Sequence, residues 1–116
     1  MTTNAVQKVD LLIQRLEAAH GKVSSLCAKA DAVISSAETY DPFSVARVRA
    51  YRYTLRDIAL RLNERLTMVR MFANEVEVSK VPGASVPDRF IRDEFAVLDK
   101  LNVTIAEISG EIGSLI

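Results

Sequence analysis

The chain of 116 residues has no tryptophan, one cysteine, one histidine, three prolines and four glycines. A single cysteine forms no internal disulfide, which excludes a disulfide-stapled module and sets a reducing, intracellular compartment as the expectation. One His and one Cys fall short of the three or four N/S ligands of a usual zinc site, so no metal is expected. No nucleophile motif or phosphate-binding glycine loop is present, so neither an enzyme nor a cofactor is expected. Basic and acidic side chains number 15 each, and a net charge of zero gives no general attraction to nucleic acid or a membrane surface. No apolar run approaches the roughly 18 residues of a membrane span, and the first residues lack a basic region followed by an apolar core. Neither a transmembrane segment nor a signal peptide is therefore expected. What is abundant is apolar character, at 49%, too much for a disordered chain. One domain over residues 1–116 is the natural expectation at this length.

Breakers gather in two places, Tyr40-Asp41-Pro42 and the stretch from Ser79 to Pro87 with Pro82-Gly83 inside it. They divide the chain into three segments, each with helical periodicity. In the first, Val6, Val9, Ile13, Leu16, His20, Val23, Cys27, Ala30, Ile34 and Ala37 follow a 3-4 spacing. A second stripe, Ala5, Leu12, Ala19, Leu26 and Val33, runs beside it. So wide an apolar face suits a bundle of three or more helices, not a two-stranded seam. On this phase His20 and Cys27 fall in the core. Gly21 costs about 1 kcal/mol against Ala, and a break there would make four helices of three.

The second segment opens with Asp41 as N-cap and Pro42 at the first helical position. Its stripe is Val48, Tyr51, Leu55, Ile58, Leu62, Arg65, Val69, Phe72 and Val76, with Leu66 covering the turn that Arg65 interrupts. The third opens with Ser85 as N-cap and Asp88 three residues on. It carries Ile91, Leu98, Leu101, Ile105, Ile108, Ile112 and Leu115, with Gly110 and Gly113 expected to fray its end. The expected object is all-α, an elongated antiparallel three-helix bundle with helices over about 4–38, 42–78 and 86–113.

The zero net charge is a cancellation. Segment two holds seven arginines against four acids, while segment three holds three basic groups against six acids. On a helical wheel Arg49, Arg52, Arg56 and Arg70 flank one side of the apolar stripe and Arg47, Arg61 and Arg65 the other. That placement predicts pairing with acids on both neighbouring helices. The competing reading is a phosphate-contacting stripe of Arg49, Arg52 and Arg56, since the guanidinium fork suits phosphate. Opposite the core, segment two carries Tyr53, Leu60 and Met71, the candidate partner-contact residues. Either this helix is central and covered on both sides, or the bundle docks onto something.

Two local likenesses bear on function. Ala18-Ala19-His20-Gly21-Lys22 followed by Ser24-Ser25 faintly resembles histidine phosphotransfer domains, themselves helical bundles, although the Lys-Gly pair of that family is inverted and displaced here. Tyr51-Arg52-Tyr53, then Arg70, Glu75-Val76-Glu77 and Pro82 resemble in order and spacing the coat proteins of rod-shaped plant viruses (tobamovirus-like). Those subunits polymerise around RNA with Arg on phosphates. The likeness covers about half of the chain, and the Tyr-Arg-Tyr region is extended in that family but mid-helix here. The reading favoured by the residues is a non-enzymatic helical interaction or assembly protein that associates with itself or another helical protein. The alternative is a nucleic-acid-coating or capsid-type subunit using the arginines of the second helix.

Overall fold

A computed structural model describes residues 2–79 and 88–115 and, of these, the side chains of 7–74 and 89–115. Three long helices account for nearly all of it: α1 (Thr2–Ser35), α2 (Pro42–Ser79) and α3 (Asp88–Leu115). They form an elongated antiparallel bundle with extents of 62 × 20 × 15 Å. The Ser85 cap, the Pro82-Gly83 stretch and the side chains of Val6 and Val76 lie outside the described residues.

α1 passes through Gly21 without a break, so the bundle has three helices and not four. Gly21 is exposed, and a Cβ placed there would meet nothing within 4 Å. Its cost is conformational only, and the packed face on either side carries the helix through. α1 stops at Ser35, a turn earlier than the expected Glu38. The Ser36 N–H still reaches the carbonyls of Ala32 and Val33, both at 3.2 Å. Ser36 itself has left helical dihedrals (φ −108°, ψ 38°), and a single 3-10 turn over Ala37–Thr39 follows. Such tightening is common where a helix ends. α2 begins as the sequence predicts. Asp41 accepts a hydrogen bond from the Ser44 N–H at 2.9 Å, and the Ser44 hydroxyl also donates to its carboxylate. These bonds to the ionised form hold the Asp41 carboxyl below its ordinary range. α3 runs intact to Leu115, so the fraying expected at Gly110 and Gly113 is not seen.

The core seam on α1 differs from the expected one by one position. Val9, Leu12, Leu16, Ala19, Val23, Leu26, Ala30 and Val33 are buried, a 3-4 repeat that shares every other member with the expected stripe. Ile13, His20, Cys27 and Ile34 are half-buried at its edge, so His20 and Cys27 are not core residues. The apolar face is wide enough for either phase. The phase that wins leaves the polarisable His20 and Cys27 at the rim and spares an imidazole full desolvation. On α2 the seam is Val48, Leu55, Ile58, Leu62, Leu66 and Val69, and on α3 it is Ile91, Leu98, Ile105, Ile108 and Ile112.

Two seam positions are charged. Arg65 of α2 and Glu94 of α3 face each other in the apolar stripe, with the Arg65 Nη1 2.7 and 2.6 Å from the two carboxylate oxygens. The Glu94 side chain is only 8% exposed and that of Arg65 29%. Charged pairs cross-brace the bundle elsewhere too. Arg52 meets Asp31 at 2.9 Å and Arg70 meets Glu17 at 2.6 Å, joining α2 to α1. Arg47 meets Glu111, joining α2 to α3. In each case residue numbers rise on one helix as they fall on the other, which is the antiparallel register. α1 and α3, each antiparallel to α2, therefore run parallel to each other, and the Arg15 guanidinium of α1 lies 5.5 Å from the centre of the Phe95 ring of α3. α1 packs against both other helices, whereas the direct contact of α2 with α3 is sparse. Besides the ion pairs, Phe72 and Phe90 close that contact, with ring centroids 4.7 Å apart.

Candidate interaction face on the second helix

The arginines of α2 divide by what they reach. Arg47, Arg52, Arg65 and Arg70 pair with acids of the neighbouring helices, and Arg61 pairs with Asp57 of its own helix at 3.2 Å. The side of the stripe on which each falls follows the wheel: Arg52 and Arg70 reach α1, Arg47 and Arg65 reach α3. The hydrogen bond to Asp31 raises the Arg52 guanidinium pKa, and the Tyr51 hydroxyl together with Glu111 does the same for Arg47. Arg52 is therefore separated in role from its companions in the candidate phosphate stripe. Arg49 and Arg56 are exposed and make no ion pair among the described residues.

The face of α2 turned away from both neighbours carries the three candidate contact residues. Tyr53 is 76% exposed, Leu60 56% and Met71 60%. The alternative in which α2 is central does not hold, because α1 is the helix packed on both sides. Beside Leu60 and Met71 lies a shallow depression lined by Leu60, Asn63, Glu64, Thr67, Met68 and Met71. Met68 was not anticipated from the sequence. It sits a step around the helix from Thr67, where wheel analysis alone does not separate a rim position from an outer one. Phe43, in the first turn of α2, is also exposed and was likewise missed. The readable signal for the whole face is a second 3-4 repeat, Ala46, Ala50, Tyr53, Asp57, Leu60, Glu64, Thr67 and Met71, masked because five of its eight members are polar or small.

Reactive groups do not gather. His20 and Cys27 lie one heptad apart at the rim of α1. Asp93 is exposed while its neighbour Glu94 is turned inward onto Arg65, so the two carboxylates diverge. Among the described residues no three His, Cys, Asp or Glu groups are placed to hold a metal ion. None of the helices, over the same residues, is long and apolar enough to cross a membrane. Comparison with known proteins finds no family model, no curated protein and no solved structure that matches this chain.

Proposed function

We propose that this is a non-enzymatic helical assembly protein, acting as a scaffold, adaptor, chaperone or structural subunit, that docks a helix of another molecule on the outer face of α2. One observation carries the reading: Tyr53, Leu60 and Met71 stand exposed in line on a helix whose other face is already buried. Single exposed apolar residues are ordinary on a protein surface. A row of them on one 3-4 helical repeat, beside a shallow depression, is the pattern that receives a second helix. The free thiol of Cys27 suits a reducing compartment. Sedimentation tests the reading. The wild-type protein should gain mass with concentration, and Leu60→Glu should abolish the gain. A monomer at high micromolar concentration, unchanged by Leu60→Glu, overturns self-association as the form this docking takes.

A second reading, a nucleic-acid-coating subunit, is favoured by one feature: Arg49 and Arg56 flank the exposed Tyr53 without acidic partners among the described residues. Binding of that kind would be to phosphate and steeply salt-dependent. With no Trp and three Tyr, the protein absorbs weakly at 280 nm, so co-purified nucleic acid would dominate the spectrum. A clean protein spectrum together with no gel shift of RNA or DNA at low salt rejects this second reading.

A further inference from the structure

We infer that the helix received by this face is α2 of a second copy of the chain, laid antiparallel about a two-fold axis that passes between Ile58 and Ala59. The inference rests on the docking reading above and adds the identity, direction and register of the partner helix.

Shape is the first argument. Leu60, Asn63, Glu64 and Thr67, four of the six residues lining the depression, stand at i, i+3, i+4 and i+7. That is the four-residue hole into which a helix inserts a knob. The most exposed large side chain of the outer stripe is Tyr53. It lies about as far before the proposed axis as the centre of the hole lies after it, roughly 8 Å at 1.5 Å per residue. The two-fold therefore drops Tyr53 of each copy into the hole of the other. The same operation seats each Leu60 beside Tyr53 and Asp57 of the other copy.

Charge is the second argument, and it fixes direction. Asp57 and Arg61 form an exposed pair within one helix, 3.2 Å apart, one on each side of the axis. An antiparallel two-fold brings Asp57 of each copy against Arg61 of the other and closes a ring of four alternating charges. It also points Arg56 towards Glu64 across the interface. A parallel, in-register pair would instead set Asp57 on Asp57 and Glu64 on Glu64, which is repulsive. The face is thus complementary to itself in one orientation, the requirement for an isologous contact.

Cross-linking distinguishes the geometries. In a Cys27→Ser background, Ala50→Cys and Thr67→Cys place single thiols on exposed positions equally far from the axis. Across the antiparallel interface residue 50 faces residue 67, while 50 from 50 and 67 from 67 are about 25 Å apart. With a short bismaleimide, a mixture of the two variants should yield cross-linked dimer at about ten times the level of either alone. Homotypic cross-linking of each variant, without enhancement in the mixture, overturns the antiparallel arrangement while the docking reading stands. Concentration-dependent association with no cross-link of either kind overturns the use of this face by a second copy. A wild-type monomer at high micromolar concentration overturns the second copy as the occupant of this face. As a check independent of cysteine placement, Asp57→Arg should weaken association about tenfold, and Arg61→Asp in the same chain should restore it. Unchanged association in Asp57→Arg overturns the charge ring.

Discussion

Replacing Arg65 with methionine would strand the Glu94 carboxylate in the apolar seam. The magnitude follows from the geometry. Glu94 is 6% exposed as a residue, and the two charged hydrogen bonds to Arg65, at 2.7 and 2.6 Å, are its partners across α2 and α3. Removing one member of a fully buried pair costs about 3–5 kcal/mol. The guanidinium end of Arg65 reaches partly into water, which places the expected loss near the lower limit, at about 3 kcal/mol. For a chain of this length that lowers the thermal midpoint by about 12 °C. The reciprocal change should be milder. In Glu94→Leu the long Arg65 side chain, already 29% exposed, can carry its charge out to solvent while its stem stays on the seam, at a cost of about 1 kcal/mol. The double variant Arg65→Met/Glu94→Leu removes both desolvation penalties and restores an apolar heptad position on each helix, so it should unfold within about 1 kcal/mol of the wild type or above it. A coupling of about 3 kcal/mol follows from the cycle. Urea unfolding followed by circular dichroism at 222 nm measures all of these. A loss below about 0.5 kcal/mol in Arg65→Met, or strict additivity in the double variant, would refute the claim that this pair is a buried, coupled one.

Gly21→Ala should raise stability by about 0.5–1 kcal/mol, since the backbone is helical, the site is open and the unfolded chain loses freedom; a lowered urea midpoint would show that α1 needs a flexible point there. Asp41 tests the cap. Its carboxyl is held low in the folded state chiefly by the Ser44 side chain, so its contribution is present above the unfolded carboxylate pKa and is lost as pH falls through the folded one. Asp41→Ala should therefore unfold earlier than wild type at neutral pH and converge with it in acid. A gap that stays constant from neutral pH to about pH 2 would refute a charged cap.

Much of the architecture was legible in the residues. Asp41-Pro42 marks the start of α2 because a capping carboxylate and a preset φ act locally, and neither needs to know what packs nearby. The sides on which Arg52 and Arg47 fall followed from the wheel for the same reason. The phase of α1 did not follow. Leu12 and Ile13, or Leu26 and Cys27, are adjacent apolar residues on a broad face, and which member turns inward is decided by the positions of α2 and α3. Glu94 was overlooked for a related reason: a lone acid at a seam position looks like a gap in the stripe until Arg65 is found opposite. The outer stripe was visible through Tyr53, Leu60 and Met71. That α2 is a peripheral helix, and the stripe therefore bare, depended on the packing order of the three helices.

That packing order also shapes how the chain comes apart. α3 leans chiefly on α1, its distant relation in sequence, and only thinly on α2, its immediate predecessor. α1 and α2 are joined by a short turn and braced by Arg52–Asp31 and Arg70–Glu17, so their contacts close small loops first and those of α3 close the largest loop last. The hairpin and the third helix are unequal partners in cooperativity. Amide exchange should place α3 among the earliest opening units, and the seam around Leu16 and Leu62 among the last. On the proposed docking reading, the interaction helix lies in the more durable half of the fold.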